Sequence, residues 1–408
     1  MTRIVFAWEM GGGFGHLGTI IPLLQRLKNH HNCQIFLILK EIHNISSLIE
    51  INDNISILPA PFISPQTAPP AHRPPPPINY ADEISMCGYN NAQQLATLMR
   101  CWHTLYDLIM PDLVISEAAP TALLTARNRN IPTATLGQGY NIPPKTSPMP
   151  SISPTPEGIT PEMLMASEAR TLAIINEALA ILHHPPLKTF ADLIAADLDI
   201  LASLPEIDAY GARENTVYSG PLYLDQSGEN PAWPATSGKK IFGYIKPDHP
   251  LFIPTLQALR TLPYPALIVS PKASQDVISK FSLPHLRIQS KNVKFSEAIK
   301  QSDIVISHAS HGTVAAAFTS GKIQLALPGQ LEQLMVARRL VNSGTGLLVH
   351  KNGTAAHIVT ALRDLADRPE FATRADAYAQ LYKNYDPVKQ AEIIADKLYT
   401  VATRPDPI

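Results

Sequence analysis

The chain has 408 residues, 45% of them apolar, and its 33 Lys and Arg against 34 Asp and Glu leave a formal net charge of −1. That length predicts two or three domains, each large enough for its own core. The even charge, with no run of Lys and Arg, excludes broad nucleic-acid binding, and no apolar stretch is long enough to cross a bilayer. Three cysteines, Cys33, Cys87 and Cys101, have no metal-ligand spacing and an odd count, so we expect buried thiols in a reducing cytoplasm and no bound metal. The strand-like IVFAW begins at residue 4 with no basic leader or cleavage site before it, so a signal peptide is not expected. Peripheral membrane attachment and oligomeric state stay open.

In chain order, Arg3 to Trp8 is an apolar strand, followed by the glycine-rich turn Glu9 to His16 and an amphipathic helix from Leu17 to Leu27. Glycines permit a tight strand-to-helix turn. Gly13, Gly15 and Gly18 also meet the dinucleotide spacing G-x-G-x-x-G, with Glu41 as the acid after a second strand from Gln34 to Lys40. An NAD(P) site is therefore one reading of this half. His16 sits at the helix start, either capping it or offering an imidazole to a substrate. Two proline-rich stretches, Ala60 to Asn79 and Asn141 to Gly158, hold many of the 38 prolines and read as extended loops, either spacers or the walls of a binding site. Asp112 to Glu117, Ile131 to Leu136 and Leu198 to Ala202 are strands. Pro120 to Arg129, Glu162 to Leu182 and Lys188 to Ala196 are helices.

Leu222 to Gly238 is polar and broken by Pro231 and Pro234, as a linker is. We therefore expect an N-terminal domain over 1–221, a linker over 222–238, a C-terminal domain over 239–385, and a tail over 386–408 whose helix returns to the first domain. Lys240 to Tyr244 opens the second sheet, with Lys246 in the loop after it. Leu251 to Leu262 is a helix, and Ala266 to Ser270 and Leu286 to Gln289 are strands. Asp303 to Ser307 is a buried strand, Gly312 to Ser320 an Ala-rich helix ending at Gly321, and Ile323 to Leu327 another strand. This βαβ unit puts His308, Ser310, His311, Gly312 and Thr313 at a helix N-terminus, where unpaired N–H groups and the helix dipole attract an anion such as a diphosphate. Leu334 to Ser343, Ala355 to Ala366, Arg374 to Tyr382 and Asp386 to Tyr399 complete the helices, with a short strand at Leu347 to Val349.

Residue by residue, His308-Ala309-Ser310-His311-Gly312-Thr313, then Gly321, Pro328 and Glu332-Gln333, resemble the donor signature of inverting nucleotide-sugar glycosyltransferases of the UDP/TDP-glycosyltransferase family, which includes macrolide and antibiotic glycosyltransferases. The resemblance implies an α/β GT-B fold, two Rossmann-like domains with a cleft between them. Ala309 and Ser310 replace two glycines of the family pattern, and Lys322-Ile323 stands where Gly-x-Pro would continue. Many members carry a ribose-binding acid at the position of Ala316, so a deoxythymidine diphosphate donor is as expected here as a uridine one. The resemblance further implies His16, beside Gly15, as catalytic base and Glu117, where relatives have Asp, as the carboxylate orienting it. It makes His308, Ser310, His311, Gly312 and Thr313 the diphosphate contacts, Glu332 and Gln333 the sugar contacts, and Val293 the contact of the nucleotide base through its backbone. No cofactor is expected beyond the UDP- or dTDP-sugar co-substrate.

The acceptor expected on this reading is a small natural-product-like molecule, with Gly15, Tyr80, Tyr89 and Tyr140, and also Trp102, as candidate walls; the same aromatics could equally be core. Three other readings keep the fold: a degenerate nucleotide-sugar-binding helper, a lipid-acceptor enzyme like the cell-wall glucosaminyltransferase, and a nucleotide-sugar epimerase. The epimerase needs several acid/base groups around one sugar, which the sequence does not display. A binding helper has no use for a base at His16.

Overall fold

The structure is a computed structural model and describes residues 1–43, 45, 54–63, 75–223 and 228–404. It divides into two compact units, one of residues 1–203, 213–222 and 387–408, the other of residues 204–212 and 223–386. The segment expected as a linker thus counts, from Tyr223 onward, with the second unit. Its chain there is stitched to that unit's sheet region, since Glu229 N–H donates to Asn292 O at 3.0 Å and Lys294 N–H to Glu229 O at 2.9 Å.

The first unit contains β1 (Arg3–Trp8), α1 (Phe14–His31), β2 (Gln34–Leu39), β3 (Ile55–Pro59), α2 (Tyr80–Ile84), α3 (Ala92–Ile109), β4 (Leu113–Ser116), α4 (Pro120–Arg127), β5 (Thr133–Gly137), α5 (Pro161–Ile181) and β6 (Leu198–Leu201). Its sheet runs β3-β2-β1-β4-β5-β6, all parallel. The central strands are buried on both faces, which is why they read as continuous apolar runs rather than alternating ones. Lys188 to Ala196 is not the expected helix: only a short 3-10 turn forms, Phe190–Ile194, because the Thr189–Asp192 capping box closes a single turn and the chain leaves it extended at Ala195. The first proline-rich stretch lies partly outside the described residues. The second is anchored by Ile152, whose N–H donates to Ile78 O at 2.9 Å, and by the buried side chains of Met149 and Ile152.

The second unit contains β7 (Ile241–Tyr244), α6 (Phe252–Arg260), β8 (Ala266–Val269), α7 (Gln275–Phe281), β9 (Leu286–Gln289), α8 (Phe295–Gln301), β10 (Ile304–Ser307), α9 (His311–Thr319), β11 (Ile323–Ala326), α10 (Leu331–Asn342), β12 (Gly346–Leu348), α11 (Ala355–Asp367) and α12 (Pro369–Leu381). Its parallel sheet runs β12-β11-β10-β7-β8-β9. Read from the other edge this is the connectivity of the first sheet, so each unit has one point where strand order reverses: between β1 and β4, and between β7 and β10. Open parallel sheets bind ligands at the carboxyl ends of the strands flanking that point. The last helix, α13 (Pro387–Ala402), packs in the first unit, where Asp396 Oδ1 lies 2.8 Å from His31 Nε2 and the His31 and Tyr399 rings stack at 4.2 Å. Among the described residues no helix is long and apolar enough to cross a membrane.

Candidate active site

In the first unit, Ala7 of β1 pairs with Ser116 of β4, so the residues following these strands emerge side by side. Glu117, one residue past β4, donates its N–H to Ala7 O at 2.9 Å and is 1% exposed. His16 lies in the first turn of α1, behind Gly13, whose φ of 89° opens the helix. Its Nδ1 is 2.6 Å from Glu117 Oε2. With the carboxylate as acceptor, the contact places a ring hydrogen on Nδ1. The ring stacks on Trp8 with centroids 4.7 Å apart, and the other carboxylate oxygen, Oε1, accepts from Asn141 Nδ2 at 3.1 Å.

Gly11 makes this arrangement possible for two reasons. Its φ is +77°, and a Cβ there would stand 2.5 Å from His16 Nε2. Gly11→Ala is therefore expected to push the imidazole from its place and to add left-handed strain of about 1–2 kcal/mol. The ¹⁵N signals of His16 should therefore shift in the variant, and a G11A protein with wild-type His16 signals would separate the ring's position from this turn.

The candidate acceptor walls require correction. Tyr89 is 1% exposed, with its hydroxyl 2.9 Å from Thr121 Oγ1, and Trp102 is fully buried with Nε1 donating to Glu9 Oε2 at 3.1 Å. Both are core side chains, as their apolar bulk favours. Tyr140 is 8% exposed and donates its hydroxyl to Glu83 Oε2 at 2.8 Å. Tyr80, at the start of α2, is buried against Phe190 and lines, with Asn141 and Ile142, a cavity of about 10 Å³ beside Ser116. Gly15 alone is exposed, with open space where a Cβ would point.

In the second unit, Ser307 of β10 pairs with Tyr244 of β7, so His308 meets the loop after β7. Lys246 N–H donates to His308 Nε2 at 3.2 Å. The ring stacks on His249 at 4.3 Å, and burial, aided by His249 and Lys246 and opposed by Asp248, pushes its pKa down to about 3. His308 is thus neutral, with Nδ1–H as its donor. Ala309 follows with φ +60°, the left-handed region that an L side chain enters only at a cost. Ser310 precedes α9 and its hydroxyl donates to Thr313 Oγ1 at 3.0 Å. His311 is 1% exposed and burial, opposed by Asp208, lowers its pKa to about 4. Gly312 keeps the first turn of α9 slim against Tyr223, whose Cβ would lie 3.4 Å from a Cβ at 312. Gly321, φ +67°, ends the helix just past its last turn.

Val293 is 3% exposed, and its side chain packs with Phe242, Leu267 and Ala316. The parallel bridge to Glu229 uses the peptides of Asn292 and Lys294, which turns the N–H and C=O of Val293 to the opposite side. Ala316 is 5% exposed in the same apolar cluster. Glu332 is half-buried in the first turn of α10. Gln333 holds the turn before that helix, its Oε1 accepting from Gly329 N–H at 2.9 Å and Gln330 N–H at 3.3 Å, so only its amide nitrogen remains to meet a ligand.

Three participants have no sequence pattern of their own. His249 stacks on His308 from 59 positions away, and Trp8 reads only as the last residue of a strand. Glu9, 5% exposed, accepts from Thr121 N–H at 2.5 Å and from Trp102, yet its burial still pushes the carboxyl up to about 7. Among the described residues no group of three or more His, Cys, Asp or Glu side chains could hold a metal ion.

Residues 271–390 match the glycosyltransferase family 28 C-terminal domain. UDP-glycosyltransferase 2 of Phaeomoniella chlamydospora is 28% identical over 156 residues, 37% of this chain and 33% of that protein; the match thus spans about a third of the curated relative. Among solved structures, a calicheamicin glycosyltransferase superposes with a TM-score of 0.69 at 16% identity, covering 100% of this chain and 99% of its own. Spinosyn rhamnosyltransferase SpnG complexed with thymidine diphosphate gives a TM-score of 0.67 at 16% identity, over 97% of this chain and 100% of its own. Glycosyltransferase VinC in complex with dTDP gives 0.65 at 16% identity, over 99% and 100%. At these identities the structural likeness carries the fold.

Proposed function

We propose that this chain, a GT-B protein whose residues 271–390 form a glycosyltransferase family 28 C-terminal domain, is an inverting glycosyltransferase moving a sugar from a dTDP- or UDP-sugar to a hydroxyl of a small-molecule acceptor. The observation that carries this reading is the 2.6 Å contact between His16 Nδ1 and Glu117 Oε2 at the strand-order reversal of the first sheet. Nε2 takes the acceptor proton, the oxygen attacks C1 of the sugar from the side opposite the diphosphate, and Glu117 stabilises the imidazolium that forms. Negative charge gathers on the leaving phosphates, where donors fixed in advance are the strongest aid. His308 Nδ1–H, the Ser310–Thr313 hydroxyl pair and the N–H groups opening α9 supply them.

Deoxythymidine is the donor nucleoside we favour. Position 316 is an alanine packed among apolar side chains, so it offers the ribose no carboxylate, and two of the neighbouring structures hold thymidine diphosphate. The NAD(P) alternative is weakened by Glu41, whose Oε2 accepts from Gly13 N–H at 3.4 Å and so puts a carboxylate where a cofactor diphosphate would meet the glycine turn.

The test is thermal shift against dTDP, UDP, their sugar derivatives and NAD(P). A ligand at one hundred times its Kd stabilises by about 2.7 kcal/mol, so dTDP or UDP should raise the melting temperature by several degrees. Thr313→Ala should weaken that ligand by about 1 kcal/mol, the worth of one hydrogen bond, or roughly fivefold in Kd. Stabilisation by NAD(P) alone would overturn the proposal.

A further inference from the structure

We propose that Asn141 is a positioning residue for the His16–Glu117 pair, held in place by Arg213, an inference that rests on the glycosyltransferase reading. The Glu117 side chain reaches the ring through several rotatable bonds, and a carboxylate held by a single hydrogen bond to the imidazole can swing about the last of them. Asn141 closes that freedom, since its Nδ2 donates to Oε1 at 3.1 Å while Oε2 stays on His16. Glu117 is thus held at both oxygens.

Asn141 is itself fixed from two directions. The Arg213 guanidinium grips the carbonyls on either side of it, Nη1 donating to Ile142 O at 2.6 Å and Nη2 to Gly139 O at 3.0 Å. Behind it stands Gly137, the last residue of β5, where a Cβ would come within 3.3 Å of Asn141 Cβ. Four segments of the first unit thereby converge on one proton: the start of α1, the end of β4, the turn after β5 and the stretch carrying Arg213. An ordinary buried asparagine satisfies its amide on backbone groups. Here the amide nitrogen is spent on a second side chain whose other oxygen defines a tautomer.

The consequence is read at His16 by ¹⁵N NMR, which needs no substrate. In the wild type, Nδ1 should be protonated and pyrrole-like and Nε2 pyridine-like. In Asn141→Ala, Glu117 should swing away for part of the time and the two nitrogens should move toward the mixed values of a free imidazole. Asn141→Asp keeps the shape and replaces the donor by an acceptor, so it should move the nitrogens the same way even if the alanine variant folds poorly. Arg213→Gln should give a smaller shift in the same direction. With the donor and acceptor found by screening, Asn141→Ala should lower kcat by about 10- to 100-fold while the donor KM is unchanged. Wild-type ¹⁵N shifts and turnover in both Asn141 variants would overturn the inference. His16→Ala distinguishes the two claims: if it keeps its rate the base assignment fails, whereas an inactive His16→Ala beside wild-type Asn141 variants sinks only the positioning role.

Discussion

His16→Ala is expected to cut sugar transfer by at least a hundredfold while leaving donor binding nearly unchanged. General base catalysis is worth about 10²- to 10⁴-fold, and the loss should fall on kcat, since His16 lies in the first unit and the proposed diphosphate contacts in the second. Isothermal titration with dTDP or UDP should return the wild-type Kd, and the initial rate with the screened acceptor should drop by at least a hundredfold. Glu117→Gln should cost less. Its amide can still face the ring, but as a neutral group it no longer stabilises the imidazolium, and its nitrogen presents a donor to Nδ1–H in one of the two amide orientations. An active His16→Ala enzyme would mean that another group takes the proton.

Acidification should destabilise the second unit. His308 and His311 have folded pKa values of about 3 and about 4, both below the 6.5 of an unfolded histidine. Between those limits the unfolded chain binds more protons, so stability falls as pH falls. By pH 5 each histidine contributes roughly 2 kcal/mol of loss relative to pH 8, at about 1.4 kcal/mol per pH unit. The first unit contains a group of the opposite sign. Glu9, raised to about 7, binds its proton more tightly folded than unfolded, so its contribution is present below pH 4.5 and lost as pH rises through 7. Calorimetry should therefore show a second-unit transition that weakens toward pH 5. His311→Gln should flatten part of that slope. An unfolding profile unchanged from pH 8 to pH 5 would contradict the burial of both imidazoles.

Several elements were legible because their signal is local. β10 and β11 are unbroken apolar runs, α9 is bounded by Ser310 and Gly321, and Gly321 takes the left-handed φ its position calls for. Others carried a signal that went unused. α3 has no Gly or Pro and a capping asparagine whose side chain accepts from Gln94 N–H, the marks of an amphipathic helix. α7 and α8, at seven residues each, are too short for periodicity to separate from loop. Tyr89 and Trp102 were ambiguous because an aromatic side chain serves a core and a pocket equally well, and only burial decides between them.

The sequence alone determined the α/β class, the two glycine-marked strand-to-helix turns and the residue types at their ends, because propensity, turn chemistry and motif spacing act over a few neighbouring positions. Tertiary structure decided which of those residues meet. Glu117 is 101 positions from His16, Asn141 a further 24 from Glu117, and Lys246 is 62 from His308. These contacts exist because parallel pairing of β1 with β4 and of β7 with β10 brings distant strand ends together. Sheet order, a property of the folded chain, therefore turned a histidine and a glutamate with plausible spacing into a hydrogen-bonded pair.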